Sequence, residues 1–204
     1  MALVKRQPGQ ELSPSSPPVS DPRAALGSPD PEQRRSAAVL LMDADDAKQL
    51  LAEHVAIEQD VVVREAMLTA LLGSHDVAAA RTLANLLHDQ DAGLRNAVLD
   101  TLGQMPAAAA IIEELLADSD SDVRFLAVML LGSLRLPAGP RLLLEVVERD
   151  TDANVVGAAL GELGEVGDAT MIAALLRAPA RFPGDPFIEF SAAVVARRFR
   201  EDAQ

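Results

Sequence analysis

The chain has no cysteine, no tryptophan and no tyrosine, and its only aromatic residues are five phenylalanines. Without thiols there are no disulfides, no thiolate metal centres and no cysteine nucleophile. The apolar content is 49%, supplied mostly by Ala, Leu and Val. Such a core suits closely packed helices better than a sheet, which favours aromatic and β-branched residues. No segment is long enough to span a bilayer, and the opening MALVKRQPGQ has no apolar signal core behind its charges. The expectation is a cytoplasmic protein that makes no membrane contact.

What is present in excess is acid. The net charge is −13, and it is unevenly spread: Asp30 to Ala180 carries 25 acidic against 11 basic residues, while the last 24 residues are neutral. An acidic body repels nucleic acid and anionic lipid and favours basic or neutral partners.

Residues 1–29 are rich in Pro and Ser with no hydrophobic periodicity, which reads as a disordered, solubilising tail. From Asp30 the chain repeats. An Asp four residues before an Arg recurs in DPEQR (30–34), DVVVR (60–64), DAGLR (91–95) and DSDVR (120–124), and DANVV (152–156) keeps the Asp but has Val156 in place of Arg. The Asp positions are 30, 31, 29 and 32 residues apart. Each is followed by an apolar run of helical period, a short break, and a second apolar run. Two helices per unit at a period near thirty predict an all-α fold: a right-handed α-solenoid of about five two-helix units over 30–180.

The opening D-x-x-Φ-R-x-x-A, as in DSDVRFLA, resembles HEAT repeats, and the short period resembles the HEAT-like repeats of the phycobilisome-lyase type. The resemblance covers residues 30–177 and implies a solenoid; it specifies a fold better than a function.

Each repeated Asp should cap the first helix of its unit, and Pro31 with Gln33 completes a capping-box pattern in the first. The Arg one turn deeper can pair with its own Asp or with that of the next unit. Asp30, Arg34, Asp60, Arg64, Asp91, Arg95, Asp120, Arg124 and Asp152 are therefore expected to form a structural ladder. Residues 181–204 hold four of the five Phe residues (Phe182, Phe187, Phe190 and Phe199) and a helix start at Asp185-Pro186. This segment is expected to be a C-terminal capping helix over the open end of the array, with a hydrophobic docking spot as the alternative.

Assembled chemistry is hard to find. Asp118, Asp120 and Asp122 are spaced like the start of a calcium loop, but Val123 and Met129 stand where Gly and the bidentate Glu are needed. His54, His75 and His88 have no metal-ligand spacing. Relatives of this repeat type that hydroxylate deoxyhypusine carry paired His-Glu dipeptides, and this chain has only Glu53-His54 in reverse order. No catalytic, cofactor-binding or metal residue is assigned, and no cofactor is expected.

A protein partner is the favoured ligand. On the second helices the outward column is expected to be Gln49, Glu53, Arg81, Asn85, His88, Glu113, Glu114, Arg141, Glu145, Thr170 and Arg177. Acidic residues of the inter-unit turns, among them Asp89, Asp118, Asp122, Glu148 and Asp150, are expected to stack into a rim suited to a basic partner. The reading is a non-catalytic adaptor or scaffold. The alternatives are a lyase-like protein or accessory subunit handling a chromophore, and nucleic-acid binding or DNA repair, which the charge argues against.

Overall fold

The computed structural model describes residues 19–203. Among them there is no strand. Twelve α-helices follow one another: α1 (Pro22–Ala25), α2 (Pro31–Leu40), α3 (Lys48–Val55), α4 (Val61–Leu71), α5 (Val77–Ala84), α6 (Ala92–Leu102), α7 (Ile112–Leu116), α8 (Ser121–Leu134), α9 (Gly139–Arg149), α10 (Ala153–Val166), α11 (Ile172–Leu175) and α12 (Pro186–Asp202). The five units are α2/α3, α4/α5, α6/α7, α8/α9 and α10/α11. Successive first helices pack side by side, α2 on α4 on α6 on α8 on α10, and α12 continues the row against α10. Second helices form the other layer, with α3 against α5 and α9 against α11. The chain is an α-solenoid.

The repeated motif makes this register. In the second to fifth units the apolar residue three after the cap Asp is buried (Val63, Leu94, Val123, Val155). So are the residues seven and eleven after it: Met67 and Leu71, Val98 and Leu102, Ala127 and Leu131, Ala159 and Leu163. These spacings place all three on one helix face, which the next helix layer covers. All five Asp residues cap: Asp30, Asp60, Asp91, Asp120 and Asp152 each accept from backbone N–H groups of the following turn.

Four expectations change in detail. The part of the Pro/Ser-rich segment that is described does not behave as a tail: Asp21 caps α1, and Leu26 is buried in the core. Residues 1–18, the rest of that expectation, lie outside the described residues. Gln33 does not close a capping box; its Oε1 accepts from Ser28 Oγ at 2.9 Å, and Ser28 Oγ itself takes the Asp30 N–H. The second helices of units three and five are short because they open as 3₁₀ turns, Pro106–Ala110 and Ala169–Met171. Finally, the Phe-rich end divides. Phe199 is buried and Phe182 packs on the core, but Phe187 and Phe190 are 60% and 68% exposed.

Candidate functional site

The ladder forms, but with different rungs from those the Asp–Arg spacing suggests. Two residues before each cap Asp stands a polar side chain, Ser28, Glu58, Asp89, Asp118 or Asp150, that accepts the N–H of the cap residue at 2.8–3.2 Å. This braces the inter-unit turn. The Arg of each unit then reaches back six residues to the backbone carbonyl of that same position: Arg34 to Ser28, Arg64 to Glu58, Arg95 to Asp89 and Arg124 to Asp118.

Two of these arginines also cross to the next unit. Arg34 makes a bidentate pair with Glu58 (2.7 and 2.9 Å), and Arg124 makes one with Asp150 (2.8 and 3.0 Å). The acceptor is the brace carboxylate, not the cap Asp, because the cap oxygen is already turned toward its own helix N–H groups. Arg64 keeps the expected rung, 4.0 Å from the next cap Asp91, and Asp118, the brace ahead of Arg95, faces His88 at 3.3 Å. In the fifth unit the Arg position is Val156, which is buried; two residues before the next cap, Asp185, stands Pro183, which has no carboxylate to offer.

Both bidentate pairs are largely covered. The side chains are 18% and 4% exposed for Arg34 and Glu58, and 15% and 5% for Arg124 and Asp150. The Arg34 hydrogen bond holds the Glu58 carboxyl below the usual range against the opposing effect of burial. Burial pushes the Asp150 carboxyl up, but the Arg124 bond together with the Asp152 and Thr151 N–H groups outweighs it, and the net direction is down.

The second-helix column is a set of exposed pairs that cross from unit to unit. Gln49 donates to Glu53 within α3 and to Thr82 of the next unit (2.8 and 3.1 Å). Arg81 meets Glu114 at 3.3 Å, with the two side chains 55% and 65% exposed. Arg141 holds Glu145 at 2.6 Å and lies 3.6 Å from Glu113. Arg177 meets Glu148 at 2.9 Å, which places Glu148 on the column and not on the turn edge. Asn85 and Thr170 are exposed without joining this chain of pairs. His88 leaves the column toward the edge, between Asp118 (3.3 Å) and Asp120 (3.8 Å). Asp122 is exposed in the first turn of α8.

Between units three and four the two surfaces converge. A cleft of about 470 Å³ is lined by Glu113 and Glu145 from the column, by Asp118, Arg124 and Asp150 from the edge, and by Arg149. No group of three His, Asp or Glu side chains that could hold a metal occurs among the described residues. None of their helices is long and apolar enough to cross a membrane.

The brace residues were missed as a class, although the signal is in the sequence: SPD, EQD, DQD, DSD and DTD precede the five first helices. Lys48 was also missed. It is buried and donates to the Met42 carbonyl and, at 2.7 Å, to the Ala70 carbonyl, joining the ends of α2 and α4. A lone lysine in a polar run gives no sequence signal for this.

Residues 108–181 match a family profile described as HEAT repeats, and a similarly capped helix pair recurs through the array from Pro31. Among solved structures, an archaeal HEAT-like repeats protein from Thermococcus onnurineus is similar at 18% identity, over 90% of this chain and 87% of that one, with a TM-score of 0.48. The complex of CpcE and CpcF of phycocyanin lyase from Nostoc sp. is similar at 23% identity, over 95% of this chain and 98% of that one, with a TM-score of 0.31. No curated protein matches.

Proposed function

We propose that the chain is a non-catalytic scaffold that binds a protein partner along the second-helix column. The observation that carries this reading is the cleft between units three and four, where column carboxylates Glu113 and Glu145 meet the acidic turn edge. A solenoid offers its stacked second helices as one continuous surface, and here neighbouring units are linked by exposed pairs that a partner can exchange for its own. Exposed pairs of this kind contribute little to stability, so exchanging them costs little. The edge adds negative potential beside the cleft, which favours a partner that brings Lys or Arg.

Affinity capture from the native cell with the triple charge reversal Glu113→Lys, Glu114→Lys and Glu145→Lys tests this. The partner held by the unmodified chain should be lost. An unchanged set of captured proteins would remove the column from consideration.

A further inference from the structure

The first-helix layer has its own unpartnered surface at the C-terminal end of the array. There α8, α10 and α12 lie side by side. Phe125 and Met129 stand exposed on one turn-to-turn face of α8, and Phe187 and Phe190 on that of α12. Between these two ridges the floor is the small-residue face of α10. Phe187 rests on Gly157, which leaves no room there for a Cβ, whereas nothing lies within 4 Å of where a Cβ on Gly161 would sit. Exposed apolar ridges on α8 and α12 thus flank a floor that is open at Gly161.

The trough between them holds one unpaired carboxylate and one closed ion pair. Glu162 of α10 lies across α8 at Gly132, where the missing side chain makes the notch it occupies. The neighbouring Glu165 is held by Arg198 at 2.6 Å, but no hydrogen bond or ion pair among the described residues reaches the Glu162 carboxylate. Burial, and then Glu165, push its carboxyl above the usual range, as expected of a carboxylate without a cation. Asp122 and Glu189 stand exposed in the first turns of the two flanking helices.

We infer that this trough docks an amphipathic helix of a partner protein, its apolar face between the phenylalanine ridges and a Lys or Arg placed on Glu162. Helix-in-groove recognition reads apolar residues at i, i+3 or i+4 and i+7, and the two ridges with their open floor match that shape. Charge decides the occupant. A second copy of this chain carries a net −13 and would bring more carboxylates to the unpaired Glu162, whereas a cationic helix supplies its missing partner. The surface is separate from the second-helix column, so the inference stands independently of the function proposed above.

The test uses the whole chain and three synthetic 18-residue peptides: a Leu/Lys amphipathic helix, its Leu/Glu counterpart, and a scrambled Leu/Lys peptide of the same composition. The Leu/Lys helix should bind with a Kd in the micromolar range, and the other two at least about tenfold more weakly. Phe190→Ser, and Gly161→Leu, which plugs the floor with a good helix former, should each weaken binding about tenfold or more. Glu162→Gln should weaken it about threefold to tenfold. Far-UV circular dichroism checks that the variants fold, and Glu113→Lys with Glu145→Lys should leave peptide binding unchanged. Equal binding of the scrambled or Leu/Glu peptide overturns the proposal, as does binding that survives both Phe190→Ser and Gly161→Leu. A dimer in sedimentation that Phe190→Ser dissolves also overturns it, since the occupant would then be a second copy.

Discussion

The turn edge and the second-helix column are both lined with charge, yet the charges do different work. At the edge, carboxylates are folded into the backbone: Asp150 accepts the Asp152 N–H and two bonds from Arg124 while remaining 5% exposed. On the column, Arg81 and Glu114 face each other between units two and three with more than half of each side chain in water. Removing one member of a covered pair strands the other, whereas an exposed pair is replaced by solvent. The acidic rim that composition suggests as a binding feature is thus first a structural one, and the column is where the pairs stay in water.

Substitutions grade this contrast. Arg124→Ala should have the largest effect, about 2 kcal/mol of stability, since it leaves Asp150 covered and its turn carbonyls unsatisfied. In thermal unfolding that is a fall of about 4–8 °C. Arg95→Ala should cost clearly less, because Arg95 has the Asp89 carbonyl at 2.6 Å but no bidentate carboxylate. Equal losses at the two positions would break the distinction between closed and open rungs.

Acid should expose the same difference. Glu58 and Asp150 have carboxyls held below their ordinary values in the fold. Their contribution is therefore present above the ordinary carboxylate range and lost as pH falls through the depressed folded values. Chemical denaturation between about pH 6 and pH 3 should show a steep loss of stability, flattened in the double variant Arg34→Ala/Arg124→Ala. An unaltered pH profile in that variant would contradict the assignment.

On the column, Arg81→Ala should change stability by no more than about 0.5 kcal/mol. Glu162→Gln should act in the opposite direction and least of all. The folded state holds that carboxyl above its ordinary value, so its ionised form is unfavourable at neutral pH and is relieved as pH falls. Replacing it with an uncharged isostere should raise the melting temperature by about 1 °C at pH 7 and leave it unchanged near pH 4. A lower melting temperature at pH 7 would mean that Glu162 has a cation in solution.

Much of the fold was legible because local chemistry repeats it. An Asp that caps, an apolar residue three positions on and further apolar residues at seven and eleven specify one helix and the face it buries, four times over, from the second unit to the fifth. The start of α12 was legible for the same reason, from Asp185 and Pro186. What was not legible depends on distance between units. That Arg124 reaches Asp150 and Arg95 reaches no carboxylate follows from how adjacent helices are offset, which no spacing within one unit encodes. The early helix α1 escaped notice because four residues among prolines make no periodic signal, although Leu26 is part of the core. The outward Phe187 and Phe190 fit only the alternative of a docking spot, because four clustered Phe residues do not by themselves say which face they take.

The most direct test sets stability and binding side by side in one protein, the Glu113→Lys/Glu114→Lys/Glu145→Lys variant. Its melting temperature should stay within about 3 °C of the unmodified chain, and the partner captured from the native cell should be lost. A fall as large as that of Arg124→Ala, or capture that persists unchanged, would contradict the division between a structural edge and a binding column.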